Sequence, residues 1–105
     1  MEKAKVKYEE LEFAGYDGGG SAIYKYQGGY FTGIILDFNQ DGILIGETEY
    51  KNGYIEGMQR EYYQSGKLEA EYYEKNNLLD GIFKEWDEAG NLISETHWKE
   101  GKKIA

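Results

Sequence analysis

The chain has 105 residues, with 20 acidic against 12 basic, a formal net charge of -8, 11 tyrosines and neither cysteine nor proline. That size argues for one domain with a modest core, and the charge argues against phosphate backbones and anionic membrane surfaces as partners. The aromatic content excludes an acidic disordered tail; without cysteine there is no disulfide framework and no thiolate metal site; and no apolar run is long enough to span a bilayer.

The expectation is therefore a single cytoplasmic domain over residues 1–105. At its start, Val6 alternates with Tyr8 and Leu11 with Phe13, which predicts short strands. The stretch GYDGGGS at 15–21 reads as an irregular turn, because with proline absent glycine must mark the turns. Neither that cluster nor Gly28-Gly29 is followed by Gly-Lys-Ser/Thr and a helix, so turn geometry is favoured over a phosphate loop.

Beyond this point the chain repeats with a period of 24 residues. Gly33, Gly57 and Gly81 keep that spacing, as do Gly42, Gly66 and Gly90; Gly53 and Gly101 lie 48 apart with Asn77 midway. Three units, 33–56, 57–80 and 81–105, follow a degenerate one at 1–32. Phe38, Tyr62 and Trp86 occupy one equivalent position, Leu44, Leu68 and Leu92 a second, and Glu47, Glu71 and Glu95 a third. Each unit holds two short runs divided by a glycine turn, too short for two helices and suited to a hairpin of two strands.

A three-residue loop, Gln40-Asp41-Gly42, with Gly42 in the left-handed region, pairs Phe38 with Leu44 and gathers the repeated apolar positions. Continued alternation then predicts a packed face carrying Ile34, Leu36, Phe38, Leu44, Gly46 and Thr48 and their equivalents, with Arg60 and Lys84 laid along it. The opposite face would carry two acidic ladders together, Asp37, Glu61 and Glu85 in one row and Glu47, Glu71 and Glu95 in the other.

The first unit contains DFNQDGILIGE at 37–47, which imitates a calcium-binding loop. It fails as one. The twelfth position is Thr48 where a bidentate glutamate belongs, the flanks read as strands rather than helices, and Asn39 and Asp41 are replaced by Tyr63 and Ser65 in the next unit. No metal or cofactor is expected. Catalysis is not expected either: His97 is the one histidine, serine occurs at 21, 65 and 94 outside any nucleophile-elbow pattern, and the carboxylates recur at the repeat period, whereas an active site breaks symmetry.

GMQREYYQSGKLEAEYYEKNN at 57–77 and GIFKEWDEAGNLISETHWKEG at 81–101 together resemble the MORN-repeat variant over roughly residues 28 to 105. The resemblance implies an all-β fold, a single-layer antiparallel sheet of stacked hairpins. It also implies a function, since bacterial proteins of this kind, the YwqK type, are antitoxins or immunity proteins paired with a secreted toxin. On that basis the expected partner is a basic toxin domain. Asp37, Glu47, Glu61, Tyr63, Glu71, Tyr73, Phe83, Glu85 and Glu95 are the expected contact residues, because aromatics anchor interfaces and complementary charge speeds association. The alternative is a MORN-type scaffold making protein contacts, with a homodimer as a further possibility and membrane binding ranked last.

Overall fold

A computed structural model describes residues 3–105. Apart from a single 3-10 turn at Tyr8–Glu10, its regular elements are strands, as the all-β expectation requires. They are β1 (Lys5–Lys7), β2 (Glu12–Tyr16), β3 (Ala22–Tyr26), β4 (Gly29–Tyr30), β5 (Gly33–Phe38), β6 (Leu44–Lys51), β7 (Tyr54–Tyr62), β8 (Leu68–Lys75), β9 (Leu78–Leu79), β10 (Gly81–Trp86), β11 (Leu92–Lys99) and β12 (Lys102–Lys103). The repeats build one sheet in the order β1-β5-β6-β7-β8-β10-β11-β12, with β9 also on β8; β2, β3 and β4 form a separate three-stranded sheet. All pairings are antiparallel except that of β1 with β5.

Two kinds of turn recur. At the long-loop end, Asn39 N–H donates to Ile43 O at 2.9 Å and Gly42 stands at φ 77°, which is the expected three-residue loop. Asn39 Oδ1 accepts from the Asp41 and Ile43 amides, and Asp87 Oδ1 does the same for Ala89 and Asn91. An amide or carboxylate there stands in for a backbone acceptor and holds the loop closed. Asp17 caps residues 17–21 in the same way, accepting from Gly19 and Ser21, so the degenerate unit keeps the loop of its successors. At the other end two-residue turns have positive φ at both positions, as in Asn52-Gly53 (51°, 90°) and Asn76-Asn77 (53°, 63°), the twist that continues into right-handed strands.

The register departs from simple alternation, and this corrects the expected faces. Phe38 does oppose Leu44, but Asp37 opposes Gly46, so Ile45 is left over in a second bulge. The same skip recurs between Glu61/Tyr62 and between Glu85/Trp86, leaving Glu69 and Ile93 without partners. An odd residue in one strand reverses the facing of everything after it. Gly46, Thr48, Ala70, Tyr72, Ser94 and Thr96 therefore lie on the face opposite Phe38, Tyr62 and Trp86, and Glu47, Glu71 and Glu95 move the other way.

The core follows from this reversal. Its fully buried members are Val6, Phe31, Ile35 and Tyr50, with Leu11, Tyr24, Tyr26 and Ile55 packed against them. Val6, Ile35 and Tyr50 share the face that carries Asp37, and the β2–β4 sheet closes over it, Tyr24 meeting Tyr50 ring to ring at 5.7 Å. The Tyr50 hydroxyl donates to Ala22 O at 3.0 Å. This is the inner face. The expected packed face is instead the outer one, where Phe38, Ile82 and Leu92 stay 37%, 44% and 50% exposed. Farther along, Asn77 Nδ2 donates to Asp17 Oδ2 at 2.7 Å and clasps the small sheet to the turn after β8.

Candidate protein-binding interface

Each sheet face carries one acidic row, and the two rows differ in what surrounds them. Across the outer face, Leu36, Glu47, Arg60, Glu71, Lys84 and Glu95 oppose one another in successive strands, so the charges alternate. Arg60 Nε donates to Glu71 Oε2 at 2.8 Å, Lys5 Nζ lies 4.0 Å from Glu47, and His97 Nε2 is 3.3 Å from Glu95. Glu47 also accepts from the Tyr62 hydroxyl, whose pKa is pushed up to about 12 by burial and by that bond. In the neighbouring row Glu49 binds Lys3 and accepts from Met58 N–H at 2.9 Å. Opposite charges directly across a sheet support each other, and this row is internally compensated.

Across the inner face the opposed residues are Asp37, Gly46, Glu61, Ala70, Glu85 and Ser94. Carboxylates here alternate with small residues rather than with cations. Among the described residues none of Asp37, Glu61, Glu74 and Glu85 has an ion-pair partner. Burial, then the charges of Glu69 and Glu85, raises the Glu61 pKa, and burial alone raises that of Glu74. Both would be relieved by an incoming cation, because a charge is poorly hydrated where burial has raised a carboxyl pKa.

Beside this row the inner face is aromatic. Tyr72 and Phe83 stack with centroids 4.7 Å apart and planes 10° from parallel. Trp98 leans along the same face, its Nε1 donating to Thr96 Oγ1 at 2.8 Å. All three rings are half-buried and lie beyond the part of the face that the small sheet covers.

The expected contact residues are thus divided. Asp37, Glu61, Phe83 and Glu85 fall on the inner face, and Glu47, Glu71, Tyr73 and Glu95 on the outer one. The expectation of two acidic ladders on one face is corrected by the second bulge. Tyr63 sits at the hairpin end, its hydroxyl donating to Trp86 O at 2.7 Å, so it ties two repeats together. Asp37 lies at the covered end of its row, near the Tyr8 phenol, whose pKa rises through desolvation and then through the Asp37 charge. Tyr72, Glu74 and Trp98 join the inner face without having been expected there, because the skipped position at Ile45, Glu69 and Ile93 shows only in the strand pairing.

Among the described residues no group of acidic, histidine or cysteine side chains could hold a metal ion. No helix there is long and apolar enough to cross a membrane.

The family model described as MORN repeat variant matches residues 55–76 and 79–100. The chain carries two adjacent repeats of that variant. Residues 33–54 lie outside the match although they form the same hairpin. No curated protein and no solved structure matches the chain.

Proposed function

We propose that the protein is a cytoplasmic, non-enzymatic immunity protein that neutralises a basic bacterial toxin domain by binding it on the inner face of the repeat sheet. The reading is supported by one asymmetry above all: among the described residues, Glu47, Glu49 and Glu71 of the outer face pair with Lys5, Lys3 and Arg60, while Asp37, Glu61, Glu74 and Glu85 of the inner face have no ion-pair partner. A row of unpaired carboxylates beside half-buried aromatics meets a cationic protein surface with both steering charge and contact area. The immunity role itself draws on the resemblance to antitoxins built from these repeats. A toxin that acts on nucleic acid must present a basic cleft, and the row would occupy it in place of phosphate charge.

Titration with the product of the neighbouring open reading frame tests this. Glu61→Lys and Glu85→Lys each weaken binding by roughly tenfold or more, and Glu95→Lys on the outer face leaves it nearly unchanged. Equal effects from all three, or no complex at all, defeat the proposal. A scaffold that makes contacts through the outer face is the second reading, favoured by the uncovered apolar row of Phe38, Leu44, Tyr62, Leu68, Trp86 and Leu92. It predicts the reverse pattern, with Trp86→Ala damaging and Glu61→Lys silent.

A further inference from the structure

We propose that the Tyr72–Phe83 stack, with Glu61, Glu74 and Glu85 beside it, is a receptor site for an arginine side chain of the protein partner. The inference rests on the inner face being the binding face and names what that face selects.

The placement follows from the register. Tyr72 opposes Gln59 in β7, two residues from Glu61, and Glu74 lies two residues from Tyr72 along β8 on the same face. Phe83 stands two residues from Glu85 along β10, which opposes Ala70. The stacked rings thus have carboxylates on both sides along the strands, and the small side chain of Ala70 separates Glu61 from Glu85. The Tyr72 phenol is pushed up to about 12 by burial first and then by the charges of Glu61 and Glu74, so both charges reach the ring.

Elsewhere the chain fills such arrangements with its own cations. Lys7 Nζ lies 5.1 Å from the Phe38 ring centroid, Lys25 Nζ 5.1 Å from that of Tyr30, and Arg60 stands opposite Glu47 and Glu71 in the outer row. Among the described residues no cation lies over Tyr72 or Phe83, and none pairs with the three carboxylates. Both halves of the constellation are therefore open to an outside group. A guanidinium suits it better than an ammonium. Its plane can extend the ring stack while its fork of donors meets a carboxylate at the edge, whereas lysine offers a compact, strongly hydrated charge.

The test compares octa-arginine with octa-lysine at equal ionic strength, by titration calorimetry against the intact protein. Octa-arginine binds roughly fivefold more tightly, as expected for one exposed guanidinium–ring contact. Phe83→Leu brings the two peptides to near parity, and Tyr72→Phe, which keeps the stack, preserves the preference. Glu74→Gln weakens octa-arginine without disturbing the rings, which serves if Phe83→Leu does not fold. Parity in the wild-type protein, or an arginine preference that survives Phe83→Leu, overturns the site. A toxin domain that fails to bind while the preference holds removes the immunity reading and leaves the site. Parity with a toxin that still depends on Glu61 and Glu85 removes the site and leaves the immunity reading.

Discussion

Gly57 and Gly81 hold the same place in successive repeats, at φ 125° and 101°, but their surroundings differ. A Cβ added at Gly57 would fall within the Glu49 carboxyl group, with Cγ at 2.7 Å, whereas at Gly81 the nearest atom is Tyr73 Cβ at 3.9 Å. In Gly81→Ala the cost is backbone strain, about 1–3 kcal/mol for a side chain forced into that region. Gly57→Ala adds the eviction of Glu49, which can swing aside but must leave the Met58 amide and Lys3. A hydrogen bond to a charged acceptor contributes about 1.5–3 kcal/mol, so the two variants should differ by about 2 kcal/mol.

Urea denaturation at neutral pH reads this directly. At a slope of about 1–3 kcal/mol per molar the Gly57→Ala midpoint should fall about 1 M below that of Gly81→Ala. Burial alone would raise the Glu49 pKa, but Lys3 and the Met58 amide prevail and hold it below its ordinary value of 4.5. Its stabilising contribution is therefore present above that value and is lost as pH falls through the depressed one. The gap between the variants should narrow in acid. Equal midpoints at neutral pH, or a gap indifferent to acid, would refute the reasoning.

Glu74 titrates with the opposite sign. Its folded pKa is raised by burial above 4.5, so the protein gains stability as pH falls through it. Glu74→Gln should raise Tm at pH 7, and scanning calorimetry should find that gain gone below about pH 4. Asn77→Gly keeps the positive φ but removes the clasp on Asp17; amide hydrogen exchange in 12–30 should quicken while that of β10 and β11 is unchanged. Ile35→Ala, at a position 1% exposed, should cost about 3 kcal/mol. Ile93→Ala, at 63% exposed, should stay within about 0.5 kcal/mol in the same unfolding assay.

The repeat was legible because its turns demand particular residues. Positive φ at Gly42, Gly66 and Gly90, and at Gly53, Asn77 and Gly101, leaves a mark in sequence that hydrophobic pattern alone would not. Phe38 opposite Leu44 was legible for the same reason. The facing of the strands beyond was not. The second bulge is written in no special residue type: the left-over position is isoleucine at 45 and 93 but glutamate at 69, and only the ladder decides which residue is left over. The core was hidden too, since Val6, Phe31, Ile35 and Tyr50 come from separate segments. Asp17 and Asn77 meet across 60 residues with no local pattern to announce it. For the candidate interface this meant that the acids of two opposite faces were assigned to one surface.

Asp37, Glu61 and Glu85 stand on every second strand, and adjacent strands are about 4.8 Å apart, so the row is a ruler with marks about 10 Å apart. A basic segment in the polyproline II conformation meets that interval at every third residue, since it turns once in three residues with a rise of about 3.1 Å. Each further hairpin would add one mark without altering the spacing. Repeat number thus sets the valency of the surface, and strand spacing sets its pitch.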